Sequence, residues 1–454
     1  MNIVILGCGK VGQRIAELLS EGNHNITMID RDRRAVESVT DLYDVIGYVG
    51  DGGSAKMMRE AGVEKADLVL AMTGDDEVNL ISCLIARNLS RCRTIARVRN
   101  PLYEDSIRVM AKDLGLAMVV NTERLAAMEA ARVIRFPYAL AIDTFSKGRV
   151  ALIKYRVKDG SLLDGTRVSD ISRKIHADVL ICAVERGDEV LIPNGDLVLK
   201  ARDAISFATT PDKEHGIFRA LQGKDRRSRD VMIIGGSILG FYLAQELLAS
   251  GIHVTIIERS TEKCEQLCQD LPGANIINAD AADRSVLMEE GLENMDVVVT
   301  LTDSDETNII LSLYAGKRGT VKTITKMNRL ELDGVIEALD LDTILVPKDT
   351  AADTVSSYVR AMGNSMGSSS IETLYTLVGG RAEAIEFLVN KGCPLVDIPL
   401  AKLNLKSDIV IACISHHGSV EIPNGQSKIR EGDNVIVVTT RRNLNDIKDI
   451  VNEL

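Results

Sequence analysis

Ile3-Val4-Ile5-Leu6-Gly7-Cys8-Gly9-Lys10-Val11-Gly12 decides the fold of this chain. Four consecutive apolar residues followed by a glycine read as a strand buried on both faces. The glycines then keep the spacing G-x-G-x-x-G and open a helical pattern in which Val11, Ile15, Leu18 and Leu19 share one face. In a strand–turn–helix of this kind Gly7 allows the tight turn, Gly9 lets a pyrophosphate approach the backbone, and Gly12 lets the helix pack on the strand. Cys8, Lys10 and Val11 complete the loop, and the helix end supplies N–H donors to an anion. Asp30 follows 21 residues past Gly9, at the end of the next apolar run, where a carboxylate can accept both hydroxyls of a ribose. Its charge disfavours a 2′-phosphate, so NAD-like or ATP/ADP-like ligands are expected over NADP; the neighbouring Arg31 weakens that preference. A unit of the same build that has no ligand is the plainer alternative.

The stretch returns later in the chain. Val231-Met232-Ile233-Ile234-Gly235 echoes Ile3–Gly7, and Thr255-Ile256-Ile257-Glu258-Arg259 echoes Thr27-Met28-Ile29-Asp30-Arg31. Thr302-Asp303-Ser304-Asp305-Glu306-Thr307-Asn308 echoes Thr73-Gly74-Asp75-Asp76-Glu77-Val78-Asn79, and Ile422-Pro423-Asn424-Gly425 echoes Ile192-Pro193-Asn194-Gly195. All the offsets lie between 228 and 230 residues, so the chain is an internal duplication. The second fingerprint, Gly235-Gly236-Ser237-Ile238-Leu239-Gly240, keeps the first and third glycines but has Ser237 at the point of closest approach. Glu258 stands in place of Asp30. A hydroxyl can bond a phosphate while its Cβ narrows the approach, so nucleotide binding and a purely structural copy remain open for this half.

Within each copy the periodicity changes once. Strands are expected near residues 3–6, 25–29, 44–48, 67–71, 94–98 and 117–120, with helices between them. That alternation predicts an α/β fold of Rossmann type, a doubly wound parallel sheet covered on both sides. A helix from Thr122 to Arg135, capped by Asn121 and stopped by Pro137, follows. From about residue 143 alternating patterns with Pro-Asn-Gly and Arg-Gly-Asp turns predict a small α+β unit with a hairpin. The second copy repeats this plan, with Gly363 to Ser370 expected as a linker. The halves meet at Gln222 to Asp230.

Composition narrows the partners. The chain has 454 residues, 45% hydrophobic and 26% charged, with 35 Gly against 9 Pro, which is globular and long enough for several units. A net charge of −11 gives no electrostatic case for a nucleic-acid partner. With 9 Tyr, 6 Phe and no Trp, base-stacking platforms are poorly supplied as well. No apolar run approaches the roughly 20 residues that cross a bilayer. The chain enters a strand directly, so no signal peptide is expected. The 8 Cys have no framework spacing, as in a reduced cytosolic protein.

Further candidates lie at the strand ends. Asp51 and Asp280 are expected at the end of the third strand of each copy, the carboxyl edge where ligands bind in open sheets. Thr73 and Thr302 end the fourth. Followed by Asp76-Glu77 and Asp305-Glu306, they read first as helix caps with acids that complement the dipole, and only weakly as metal ligands. Arg97 and its counterpart Lys326 end the fifth strand and can reach a phosphate; for Arg97 a surface ion pair is an equal reading. Cys264 and Cys268, four apart on a helix, read as packing rather than zinc ligands. His416-His417 falls between two strands and faces opposite ways, against a shared metal. The basic cluster Lys224 to Arg229 reads as a solvated linker more readily than a membrane or partner contact. Neither small unit brings an acid–base group into a recognisable constellation, so ligand-dependent switching fits better than a dehydrogenase.

In this order, twice over, the motifs resemble the regulator of potassium conductance (RCK) family. Their tandem arrangement is similar to regulatory subunits of Trk-type potassium uptake. The resemblance covers essentially the whole chain and implies RCK N-terminal domains at 1–123 and 231–348 and RCK C-terminal domains at 143–227 and 368–454. It implies a non-enzymatic cytosolic subunit, peripheral on the inner face of the plasma membrane. Rossmann lobes would assemble as a homo-oligomeric ring under an integral-membrane potassium-translocating subunit, and would bind NAD(H), ATP or ADP. By position Gly7, Gly9 and Gly12 would hold phosphates and Asp30 the adenosine ribose. Asp51 would lie near the adenine, Thr73 near the phosphates or second ribose, and Arg97 near the distal phosphates. A soluble NAD-dependent oxidoreductase and a nucleotide-sensing scaffold for another transporter remain as alternatives.

Overall fold

Short strands with buried centres, alternating with helices, bury both faces of a parallel sheet, and the chain uses this plan twice. In the computed structural model, residues 1–452 are described apart from 21, 23, 137, 146–148, 178, 188, 211–212, 223–227, 321, 329–338, 340, 367–369, 378–380, 417–418, 442–443 and 445. Strands β1 (Asn2–Leu6), β2 (Asn25–Asp30), β3 (Ile46–Val49), β4 (Leu68–Ala71), β5 (Arg93–Arg97) and β6 (Leu116–Val120) pair in parallel in the order β3-β2-β1-β4-β5-β6. The order reverses between β1 and β4, and such a switch opens a crevice beyond the carboxyl ends of the strands. Helix Lys10–Ser20 buries Val11, Ile15 and Leu19 against this sheet, whereas Leu18 is only half-buried. The third strand starts two residues later than the pattern suggests. As an edge strand with Ile46 and Val49 exposed it has little burial to fix its start.

Helix Thr122–Arg135 forms as expected, with Asn121 Oδ1 accepting the Arg124 N–H at 2.9 Å; Pro137 lies outside the described residues.

A second chain segment builds antiparallel pairings from β7 (Ala139–Phe145), β8 (Val150–Arg156), β9 (Leu180–Arg186), β10 (Glu189–Leu191) and β11 (Ala204–Thr209), in the order β10-β9-β11-β8-β7. The second copy repeats both sheets. Strands β12 (Asp230–Ile234), β13 (His253–Glu258), β14 (Asn275–Asn278), β15 (Val297–Thr300), β16 (Lys322–Lys326) and β17 (Thr343–Leu345) lie in the parallel order β14-β13-β12-β15-β16-β17. Strands β18 (Ile371–Leu377), β19 (Ala382–Leu388), β20 (Ile409–His416), β21 (Ser419–Glu421) and β22 (Asn434–Thr439) give β18-β19-β22-β20-β21, the mirror listing of the first antiparallel order.

The chain groups into two units: Met1–Ala131 with Ser228–Ser356, and Arg132–Arg227 with Ser357–Leu454. The first therefore holds both parallel sheets and the second both antiparallel ones. Within the second unit Leu152, Cys182 and Ala208 pack with Ala384, Cys413 and Val438, so the two small sheets share one apolar layer.

The expected linker from Gly363 is not one at its start. Helix Pro347–Met366 runs through Gly363 and Asn364, and residues 367–369 lie outside the described set. A glycine in a helix costs about 1 kcal/mol; buried Val355, Val359 and Met362 supply the packing that outweighs it. Gln222 likewise closes helix Glu214–Gln222, and most of the basic Lys224–Arg229 cluster falls outside the described residues.

Candidate nucleotide-binding cleft

The first fingerprint loop is built by close approaches that only glycine permits. Gly7 has φ +104°, and a Cβ there would lie 2.9 Å from the Met72 carbonyl oxygen. A Cβ on Gly12 would stand 2.0 Å from the Gly7 oxygen. Gly9 is different: nothing lies within 4 Å of its would-be Cβ, so its backbone faces open space. Asp30, at the end of β2, locks the loop from the side. Its Oδ2 accepts the Cys8 N–H at 2.6 Å and its Oδ1 the Asp32 N–H at 2.9 Å. The carboxylate nevertheless stays on the wall of the cavity above Gly9. Burial, with Asp30 and Asp32 nearby, pushes the Cys8 thiol up to about 12, so it is a packed, protonated group.

Arg31 donates to Asp51 at 2.7 Å, and Gly53 N–H donates to the same carboxylate at 2.9 Å. The Gly53 N–H and Arg31 together hold Asp51 below the usual carboxylate range. Asp51 sits in the turn two residues beyond β3 rather than on the strand. Because Arg31 is engaged there, the cationic group that weakened the preference against a 2′-phosphate already has a partner.

The opposite rim departs from the expected caps. The N-cap of helix Asp76–Leu89 is Asp75, which accepts the Val78 N–H, and the N-cap of helix Asp305–Lys317 is Ser304. Thr73 is instead tied to Asn79, whose Oδ1 accepts from Thr73 N at 2.9 Å and from Thr73 Oγ1 at 2.7 Å. The Asn79 amide also donates to the Thr73 and Arg97 carbonyls. Asn308 makes the same four bonds with Thr302 and Lys326. One turn into each helix, a buried amide holds the threonine because it satisfies the ends of two strands at once. Asp76 does similar work, accepting the N–H groups of Arg99 and Asn100 at 2.9 Å each, as Asp305 does for Asn328.

Arg97 is mostly buried. Its Nε and Nη2 donate to Thr122 Oγ1 at 3.2 Å, and Nη2 lies 3.6 Å from Glu123. Burial lowers its pKa, with Glu123 opposing. It lines the cavity as an ion pair, but a mostly buried one rather than a surface pair.

The second lobe closes what the first leaves open. Gly235 has φ +109° and Gly240 would place a Cβ 2.7 Å from the Gly235 oxygen, so the turn is the same. Ser237, however, is the N-cap of helix Ile238–Ala249 and accepts the Gly240 N–H at 3.3 Å. Glu258 reaches the Gly236 N–H at 2.7 Å from a site only 8% exposed. Gly235, Gly240 and Glu258 are absent from the cavity wall; Gly236, Ser237 and Leu267 are on it. Asp280 sits in the turn after β14, making an Ala282 contact.

The two lobes meet within one unit. Arg14 Nε lies 3.0 Å from Asp349, Asn121 donates to the Tyr242 hydroxyl at 2.9 Å, and Thr350 donates to Glu129 at 2.7 Å. A single cavity of 1280 Å³ is lined from both sides, by Gly9, Asp30, Asp51, Thr73 and Arg97 from one lobe and by Ser237, Lys326 and Lys348 from the other. That is more room than the roughly 300–1,000 Å³ usual for one small ligand.

Other candidates stand apart from it. Cys264 packs with its thiol on the Glu258 carbonyl, whereas Cys268 is exposed and so does not pack. His416 pairs with the buried Asp433, and His417 lies outside the described residues. Among the described residues no metal-holding cluster of His, Cys, Asp and Glu is found. Sequence reasoning missed Asn79, Thr122, Glu123 and Lys348; only Asn79 had a signal, a polar residue on a helix repeated as Asn308.

Paired Rossmann lobes with small α+β companions, and one open fingerprint crevice, define a tandem RCK-type protein. The TrkA-N domain matches residues 3–122 and 231–347, and the TrkA-C domain residues 152–222 and 384–452. The chain belongs to the TrkA family, with its TrkA-N and TrkA-C domains in tandem. It is 34% identical over 451 residues to the Trk system potassium uptake protein TrkA homolog of Archaeoglobus fulgidus, covering 99% of this chain and 100% of that one. Its fold is similar to the GsuK RCK domain, with a TM-score of 0.63 at 18% identity, covering 96% of this chain and 92% of that one. It is also similar to the GsuK channel bound to NAD, with a TM-score of 0.62 at 17% identity, covering 96% and 76%. No described helix is long and apolar enough to cross a membrane.

Proposed function

We propose that this chain is a nucleotide-binding, non-enzymatic regulatory subunit that gates a separate integral-membrane potassium-translocating protein. The observation that carries the reading is the first fingerprint: Gly9 faces open space while Asp30 is pinned on the cavity wall beside it. The residues fit an adenine nucleotide, NAD(H), ATP or ADP. Gly7, Gly9, Gly12 and the backbone at Cys8, Lys10 and Val11 would hold phosphates, and Asp30 the ribose hydroxyls. Asp51 would border the adenine, Thr73 the phosphates or second ribose, and Arg97 the distal end. The naming of the family's relatives for potassium uptake, and a solved RCK channel bound to NAD, support the same reading.

The chain's own residues suggest how binding becomes a signal. The wall of the cavity comes from both lobes, so a ligand whose contacts differ between two lobe arrangements shifts their populations. Lobes assembled as a homo-oligomeric ring on the cytoplasmic face of the plasma membrane would pass that shift to the translocating subunit. The test is purification of a tagged chain from detergent-solubilised native membranes. A multi-span potassium-translocating protein is expected to accompany it and to be lost on nucleotide exchange. A chain recovered only from the soluble fraction, with no integral-membrane companion, contradicts the proposal.

A further inference from the structure

We infer that the second lobe carries a polyphosphate-binding subsite at Lys326 and Lys348. This rests on the reading of the shared cavity as a nucleotide site, and it assigns the far side of that cavity a ligand chemistry of its own.

The argument comes from a charge exchange between equivalent positions. Lys326 ends β16 as Arg97 ends β5. Lys348 is the second residue of helix Pro347–Met366, as Glu123 is of helix Thr122–Arg135. In the first lobe these two positions form an ion pair at 3.6 Å. In the second the acid is replaced by a second lysine, and like charges now face the same space. Arg31, Arg97 and Arg99 on the first lobe's wall each have a carboxylate partner, Asp51, Glu123 and Asp76. Among the described residues no carboxylate lies in ion-pair range of Lys326 or Lys348. Lys326 donates to the Thr302 carbonyl at 3.3 Å. Asp349, beside Lys348 in sequence, is paired with Arg14. Lys263 lines the same wall. Two half-buried lysines lining a shared cavity, with no described carboxylate in ion-pair range, attract an anion more strongly than they would in open water.

The closed fingerprint limits what that anion is. Ser237 caps the helix that would receive a pyrophosphate, and Glu258 is buried away from any ribose. The second lobe therefore recognises the phosphate chain and not the nucleoside. The chain of phosphates has two sources: the terminal phosphates of a nucleotide anchored at Asp30, or a second, free polyphosphate.

Calorimetric titration of the full chain with AMP, ADP and ATP, and of the AMP-saturated chain with tripolyphosphate, separates them. With Lys326→Gln/Lys348→Gln, a loss of about tenfold or more for ATP, less for ADP and none for AMP assigns the subsite to the nucleotide's own phosphates. Tripolyphosphate that binds the AMP-saturated chain but not this variant assigns it to a separate anion. Lys348→Glu, which recreates the pair seen in the first lobe, is expected to reproduce either loss while leaving the melting temperature unchanged or higher. Unchanged affinity for both ATP and tripolyphosphate, or an equal loss for AMP and ATP, overturns the inference. An unmodified chain that binds tripolyphosphate through these lysines but no adenine nucleotide overturns the underlying nucleotide reading alone.

Discussion

Cys8, Asp30 and Val39 in the first lobe stand where Gly236, Glu258 and Leu267 stand in the second. In the first, Asp30 is short enough to bind the loop N–H and still border the cavity. In the second, the longer Glu258 reaches the equivalent N–H from a buried position. A side chain at Gly236 would crowd its neighbours, because a Cβ would lie 2.7 Å from the Leu267 side chain and 3.0 Å from that of Glu258. Leu267 then takes the cavity wall. Both loops satisfy the equivalent N–H internally, and the two lobes differ in whether the carboxylate that does so still borders the cavity. The comparison teaches that a retained fingerprint turn does not by itself retain the site.

Where the lobes agree, they should respond alike. Asn79→Ala and Asn308→Ala each remove a fully buried amide that joins two strand ends. Each is expected to cost about 2–4 kcal/mol of stability, read by chemical denaturation of the full chain. A large loss in one lobe and none in the other would break the claim that both share this hub.

Where they differ, changes at equivalent positions should be felt in different quantities. Gly9→Val places a branched side chain in the open approach to the first loop. Nucleotide affinity should fall at least about tenfold with little change in melting temperature. Ser237→Ala removes a cap and should instead cost about 1 kcal/mol of stability with nucleotide affinity unchanged.

The smallest effect concerns the second unit. There the Arg186 fork holds Asp203 at 2.7 and 2.9 Å, where the second copy has His416 with Asp433. Burial alone would raise Asp203, but Arg186 and the Lys200 N–H more than offset it and its pKa is lowered. Its folded pKa lies below the unfolded one, so this contribution is present above the unfolded value and lost as pH falls through the folded one. Arg186→Gln should therefore flatten the acid limb of the stability–pH curve, measured by thermal melts from neutral pH downward.

Much of this was readable from residue order. The duplication, the alternation of buried strands with helices and the turn glycines depend on local chemistry, and all of them recur in the structure. The third strand's start and the linker at Gly363 were misread because an edge strand and a helix held by its buried Val355, Val359 and Met362 are decided by tertiary neighbours. At the cleft, the loop and Asp30 were legible because the motif is contiguous. The Asn79 hub, the Glu123 partner of Arg97 and the place of Lys348 beside Lys326 were not, because each joins residues from separate strands and helices.

The most direct test counts sites. Isothermal titration of the full chain with ADP or NADH is predicted to give one adenosine-dependent site per chain, abolished by Asp30→Ala and indifferent to Glu258→Gln. Two equivalent sites per chain, or binding that survives Asp30→Ala and fails with Glu258→Gln, would contradict an open first lobe and a closed second one.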